Sequence, residues 1–129
     1  MELSVVVPVF NEEKNVAPLY QQITNSLEKI GVPFEIIFVD DGSTDATFSK
    51  LQELYNRDKR LKIIRFRKNF GQTAALSAGF DHSMGNIIIT LDGDLQNDPE
   101  DIPVLVDKLK EGFDIVNGWR FKRKDPFLS

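Results

Sequence analysis

Apolar residues in this chain gather into two kinds of cluster that alternate along its length. Five short runs, 3–7, 34–39, 61–66, 86–91 and 113–116, are rich in Val, Ile and Phe, with little polar alternation. Runs of that length and composition predict strands buried on both faces. Four amphipathic stretches lie between them. Val16, Leu19, Tyr20, Ile23 and Leu27 recur at helical spacing and would line one helix face, and Phe48, Leu51, Leu54 and Tyr55 do the same. A third stretch, 72–83, carries Ala74, Ala75, Ala78 and Gly79, small residues that let a helix lie close to a sheet. The fourth has the fullest signals: Asp98 as cap, Pro99 in the first turn, Asp101 as the acceptor of a capping box, Ile102, Leu105, Val106 and Leu109 as the stripe, and Gly112 as the stop. Strict strand-helix alternation with continuous apolar strands predicts an α/β, Rossmann-like domain, a mostly parallel sheet with helices on both faces. The pattern organises residues 1–119 and is lost over 120–129.

Composition narrows the class. The 129 residues suffice for one domain with a real core. No apolar run approaches the ~18 residues of a membrane span. The amino terminus shows no basic leader and reads directly as a strand, which implies a cytoplasmic chain. Cysteine is absent, which excludes disulfides, thiolate zinc sites and cysteine nucleophiles, so a metal would need oxygen ligands or the lone His82. The net charge of -4 conceals a separation of acids, at Asp40-Asp41 and from Asp92 to Asp101, from bases, between Arg57 and Lys68 and from Arg120 to Lys124. A basic total with stacking aromatics on one face, the mark of a nucleic-acid binder, is missing, and no nucleic-acid partner is expected.

In an open parallel sheet the ligand sits beyond the carboxyl ends of the strands. The residues there are Pro8-Val9-Phe10-Asn11-Glu12, Asp40-Asp41-Gly42-Ser43, Arg67-Lys68-Asn69-Phe70-Gly71, Asp92-Gly93-Asp94-Leu95-Gln96 and Asn117-Gly118-Trp119-Arg120. Asp92 and Asp94 can both face one hard cation, with the Gln96 carbonyl as a further ligand; Mg2+ or Mn2+ suits oxygen donors beside a diphosphate. The same spacing also serves as a plain turn into the next helix. Asp40-Asp41 is good turn chemistry too, with Ser43, Thr44 or Asp45 able to cap the second helix. Yet two adjacent carboxylates repel, and a carboxylate there can take hydrogen bonds from a base imide or ribose hydroxyls. Arg67 and Lys68 read either as a solvated face or as cations that offset phosphate charge. His82 falls late in a helix, away from these ends.

Those five segments, together with Gln72-Thr73-Ala74-Ala75 and Asn97-Asp98-Pro99, resemble in order the family 2 inverting glycosyltransferases, and within them the polyprenyl- and dolichol-phosphate branch. The resemblance covers nearly the whole chain. It implies a GT-A fold and a hexosyltransferase that moves a sugar from a nucleoside-diphosphate donor, UDP-linked in preference to GDP-linked, to a polyprenyl phosphate. By the same resemblance Pro8, Phe10 and Glu12 would line the nucleotide pocket with Asp41 and Arg67 nearby, Asp40 would read the base, and Asp92, Asp94 and Gln96 would hold the metal. The family usually has a small residue such as Ala where this chain has Gly93. Arg120 would contact the acceptor phosphate, and the basic run through Lys124 would extend that contact toward anionic lipid, at the cytosolic face of a membrane in the intact protein. The family's catalytic domain continues past this length, so 1–119 would be the donor-binding core and 120–129 the start of an acceptor region cut short, with poor transfer by the chain alone. Two other classes share the strand-helix order. A nucleotidyltransferase needs a glycine-rich basic loop after the first strand. A phospho-receiver domain needs its acidic pair there and a lysine after the fifth strand, and neither pattern is present.

Overall fold

The computed structural model describes residues 2–91 and the backbone of residues 120–123. Within them lie β1 (Leu3–Val9), α1 (Val16–Ile30), β2 (Phe34–Asp40), α2 (Thr47–Arg57), β3 (Leu61–Arg65), α3 (Gln72–His82), β4 (Ile87–Thr90) and β5 (Arg120–Arg123). The strands form one sheet in the order β3-β2-β1-β4-β5. The first four are parallel and β5 runs antiparallel to β4. The predicted helix over 98–112 and strand over 113–116 lie outside the described residues.

Side chains alternate across a strand, and here each set finds its own helix layer. Leu3, Val5, Val7 and Val9 of β1 join Ile36 and Phe38 of β2 beneath Val16, Leu19, Ile23 and Leu27 of α1 and Leu51 and Leu54 of α2. The intervening Val6, Ile37, Val39 and Ile88 meet Ala75 and Leu76 of α3 on the opposite face. Burial on both sides is why the strands read as unbroken apolar runs. Tyr55, placed in the stripe of the second helix by its spacing, is instead 40% exposed, with the Lys59 ammonium 3.9 Å from its ring centre.

Close approach of α3 depends on Gly79. A Cβ there would stand 2.3 Å from Cγ1 of Val6, a buried β-branched side chain with little freedom to turn away. Gly79→Ala is therefore expected to destabilise the fold by about 1–3 kcal/mol, measured as a lower denaturant midpoint with unchanged slope.

The tail differs from its sequence reading. Residues 120–123, which carry no periodic pattern, form β5, with Arg120 opposite Thr90 and Arg123 opposite Ile87. A backbone ladder forms whatever the side chains it carries, so hydrophobic patterning does not announce this strand. Among the described residues no helix is long and apolar enough to cross a membrane.

Candidate functional site

The sheet order makes β1 and β4 the place where the connections turn in opposite directions, the switch point at which an open parallel sheet leaves a crevice. Pro8 helps to open it. The Leu91 amide donates to the Val6 carbonyl, so even-numbered residues of β1 bond toward β4. The next donor on that edge would be residue 8, and proline has no N–H. The β1–β4 ladder ends there, while β1 stays paired with β2 as far as Val9 opposite Asp40.

Beyond the strand ends, the loop after β1 and the loop after β2 are fastened together. The Asn11 amide donates to Ser43 Oγ at 2.9 Å, and Asn11 Oδ1 accepts from the Thr44 amide at 2.8 Å and the Asp45 amide at 3.3 Å. The Glu12 amide donates to Thr47 Oγ1, the Glu13 amide to Asp45 Oδ2, and the Ala46 amide to Glu13 Oε2. Asn11 takes a left-handed backbone conformation with φ 53°, which asparagine tolerates better than most residues. The start of α2 is thus satisfied largely from the other loop. Asp45 contributes from just before the cap position, accepting the Thr47 amide at 2.9 Å. Burial pushes the Asp45 carboxyl up, but the Thr47 hydroxyl and amide and the Glu13 amide outweigh this and hold it below the usual carboxylate range.

Asp40 and Asp41 are both buried, and they serve different ends. Asp40 Oδ1 accepts the Ser43 amide at 3.0 Å, whereas Oδ2 is buried with no hydrogen-bond partner among the described residues. Asp41 turns toward the loop after β3. Its Oδ1 accepts the Phe70 amide at 2.7 Å, its Oδ2 accepts the Gly71 amide at 3.0 Å, and its carbonyl accepts from Asn69 Nδ2 at 3.3 Å. Directly after them, Gly42 has φ 76°, and a Cβ there would lie 2.3 Å from the Lys68 carbonyl carbon. Only glycine combines that backbone conformation with so close a neighbour. The mutual repulsion anticipated for the pair is relieved because the two carboxylates find separate sets of donors.

The basic stretch from 57 to 68 also divides. Arg60 pairs with Asp58 and Glu28, Lys62 pairs with Glu35, and Arg65 lies over the Phe48 ring at 4.0 Å. Lys68 lies 5.1 Å from the centre of the Phe70 ring, and Arg67 has no ion pair or ring contact among the described residues. Both are exposed, just past the carboxyl end of β3.

Of the other residues singled out by sequence, Phe10 is 43% exposed at the end of β1, and Glu12 Oε2 accepts from Asn15 Nδ2 at 2.6 Å. Asp92, Asp94 and Gln96 lie outside the described residues, and among those described no cluster of acids and histidine could hold a metal. Asp92 nonetheless follows directly on Leu91, the last described residue after β4. The register of β5 brings the Arg120 backbone opposite Thr90, at the same edge, while Lys122 and Arg123 stand opposite Ile88 and Ile87, back toward the amino edge. At about 3.4 Å per residue, Arg123 is some 10 Å further from the crevice than Arg120. His82 Nδ1 contacts the Ala78 carbonyl within its own helix, at the far end from the site. The Asn11–Thr47 clasp was missed by sequence reasoning; its one local signal is an asparagine just past a strand end.

The family model of glycosyl transferase family 2 matches residues 4–128. The chain belongs to that family. It is 47% identical over 127 residues to the dodecaprenyl-phosphate galacturonate synthase of Rhizobium johnstonii, covering 97% of this chain and 38% of the relative. It is 43% identical over 125 residues to the undecaprenyl-phosphate 4-deoxy-4-formamido-L-arabinose transferase of Salmonella paratyphi B, covering 96% and 38%. The chain thus spans well under half the length of either relative. Among solved structures it resembles glucosyl-3-phosphoglycerate synthase from Mycobacterium tuberculosis, in complex with Mn2+, UDP and phosphoglyceric acid, with a TM-score of 0.64 and 26% identity over 84% of this chain and 38% of that one. The family 2 chain has the α/β GT-A fold expected of its motifs.

Proposed function

We propose that this chain forms the donor-binding part of an inverting hexosyltransferase that moves a sugar from a nucleoside-diphosphate carrier, UDP in preference to GDP, to a polyprenyl phosphate at the cytosolic face of a membrane. The observation that carries the donor half is Asp40: a buried carboxylate oxygen without a hydrogen-bond partner among the described residues, at the carboxyl end of β2, opposite Val9 of β1. A desolvated acceptor of that kind is costly until a donor reaches it, and a base imide or ribose hydroxyl supplies one. Because the oxygen is covered, nucleotide binding entails a shift of the groups around it. Pro8 and Phe10 then border the nucleotide, and Arg67 and Lys68 offset the diphosphate. The acceptor half rests on the named activities of the two relatives and on the position of Arg120 at the crevice end of β5.

Asp92, Asp94 and Gln96 would hold Mg2+ or Mn2+, an oxygen donor set suited to such an ion, which supplies charge neutralisation on the departing nucleoside diphosphate. A lipid phosphate is ionised at neutral pH and attacks the anomeric carbon without a general base. Inversion follows from one in-line displacement, and the protein contributes position and charge complementarity.

Titration of the chain with UDP and GDP, with and without Mn2+, tests this reading. Metal should strengthen binding of the preferred nucleotide, and Asp94→Asn should remove the metal-dependent part, a loss of roughly tenfold to a hundredfold. Binding to neither nucleotide, or an Asp94→Asn affinity equal to wild type with Mn2+ present, contradicts it.

A further inference from the structure

We infer that Asp41 is a positioning residue for the donor diphosphate, acting through the loop after β3 that carries Arg67 and Lys68. The inference rests on the donor-site reading above. The segment from Phe66 to Gly71 is attached to the end of β2 and the residue after it at both of its ends. The Phe66 amide donates to the Asp40 carbonyl at 2.8 Å, Gly42 leaves room for the Lys68 and Asn69 backbone, Asn69 Nδ2 reaches the Asp41 carbonyl, and the Phe70 and Gly71 amides close on the two oxygens of the Asp41 carboxylate. Two charge-assisted bonds from consecutive amides fix both the height and the rotation of the loop. The two cations lie just before those amides in the chain, so their backbone is held between the Phe66 anchor and the Asp41 clamp. Nothing else among the described residues holds the Arg67 guanidinium in an ion pair. The second of those amides belongs to Gly71, the cap residue of α3, so the clamp also joins the loop to the start of that helix. Asp40 and Asp41, adjacent in sequence, thus divide the nucleotide between them: one faces the nucleoside, the other sets the groups that face the diphosphate.

The test separates these roles with UDP and uridine as probes, GDP and guanosine being run in parallel. Asp41→Asn keeps one acceptor oxygen and turns an NH2 toward the second amide. It should speed hydrogen exchange at the Phe70 and Gly71 amides and weaken UDP binding by roughly tenfold, the effect of losing about one charge-assisted contact, while uridine affinity is unchanged. In a background of Arg67→Ala and Lys68→Ala, the same Asp41→Asn change should no longer affect UDP, since the groups it positions are gone. Equal losses for UDP and uridine would point to general loosening and overturn the inference. So would an Asp41→Asn effect that persists undiminished without the two cations, or exchange at Phe70 and Gly71 that does not change. Wild-type protein that binds none of the four probes would instead refute the donor-site reading on which the inference stands.

Discussion

Asp40→Asn is expected to weaken nucleotide binding by roughly 30-fold to 100-fold while leaving the free protein as stable as wild type, or more stable by up to about 1 kcal/mol. The opposite directions follow from the two oxygens of one carboxylate. Oδ1 accepts the Ser43 amide, and an asparagine keeps that bond by placing its carbonyl there. Its NH2 then occupies the place of Oδ2, which is buried without a partner. In the free protein the change replaces a desolvated charge by a neutral amide, which costs less to bury. With nucleotide present, a base imide meets a second donor where it needs an acceptor, and a ribose hydroxyl exchanges a charge-assisted bond for a weaker neutral one. A residue kept for binding at the expense of stability behaves in this way. Calorimetric titration with UDP and thermal unfolding of the same two proteins give both readouts. A variant that binds UDP as tightly as wild type removes Asp40 from the nucleotide site; one that unfolds several degrees lower makes it structural.

The parts of the fold that rest on burial were legible in the sequence, because burial leaves a period. Val16, Leu19, Ile23 and Leu27 are at helical spacing because one face of α1 meets the sheet, and all four are inaccessible. The close seat of α3 was readable from its small residues, and Gly79 against Val6 is its tightest point. What long-range hydrogen bonds decide was not legible. Asp40 and Asp41 are indistinguishable as letters, yet among the described residues one carboxylate takes a single amide and the other takes two. That difference depends on a loop some 30 residues away in the chain. Asn11 and Thr47 offer no pattern for the same reason, since their partners lie 32–35 positions distant. Strand β5 escapes notice because its pairing uses only the backbone. The polar strand ends marked the candidate edge in the sequence, but the hydrogen bonds within it required the geometry.

At the opposite edge of the sheet, Glu35→Ala is expected to lower stability by about 3 kcal/mol, the largest effect on folding that a single side chain outside the apolar core should produce. Glu35, the second residue of β2, is 1% exposed. Its Oε2 accepts the Ser4 hydroxyl and the Met84 amide, each at 2.6 Å, and Lys62 Nζ pairs with Oε1. Ser4 Oγ in turn accepts the Gly85 amide at 2.8 Å, so one carboxylate ties the first strand to the turn that leads into β4. Lys62 is 41% exposed, and solvent screens its share; most of the loss comes from the buried Ser4 hydroxyl and the part-buried Met84 amide left without their acceptor. Burial pushes the Glu35 carboxyl up, but Lys62, Ser4 and Met84 together outweigh it and hold it below the ordinary carboxylate range. A folded carboxyl depressed in this way stabilises fully above the unfolded value of roughly 4.3, and the stabilisation is lost as pH falls through the lower folded value. Glu35→Gln keeps an acceptor for Ser4 and Met84 but cannot titrate, so its stability should fall less steeply on acidification than that of wild type. Denaturant midpoints measured for the three proteins at about pH 7 and about pH 3.5 decide the matter, and equal acid limbs for wild type and Glu35→Gln would show that this carboxylate does not couple folding to protons.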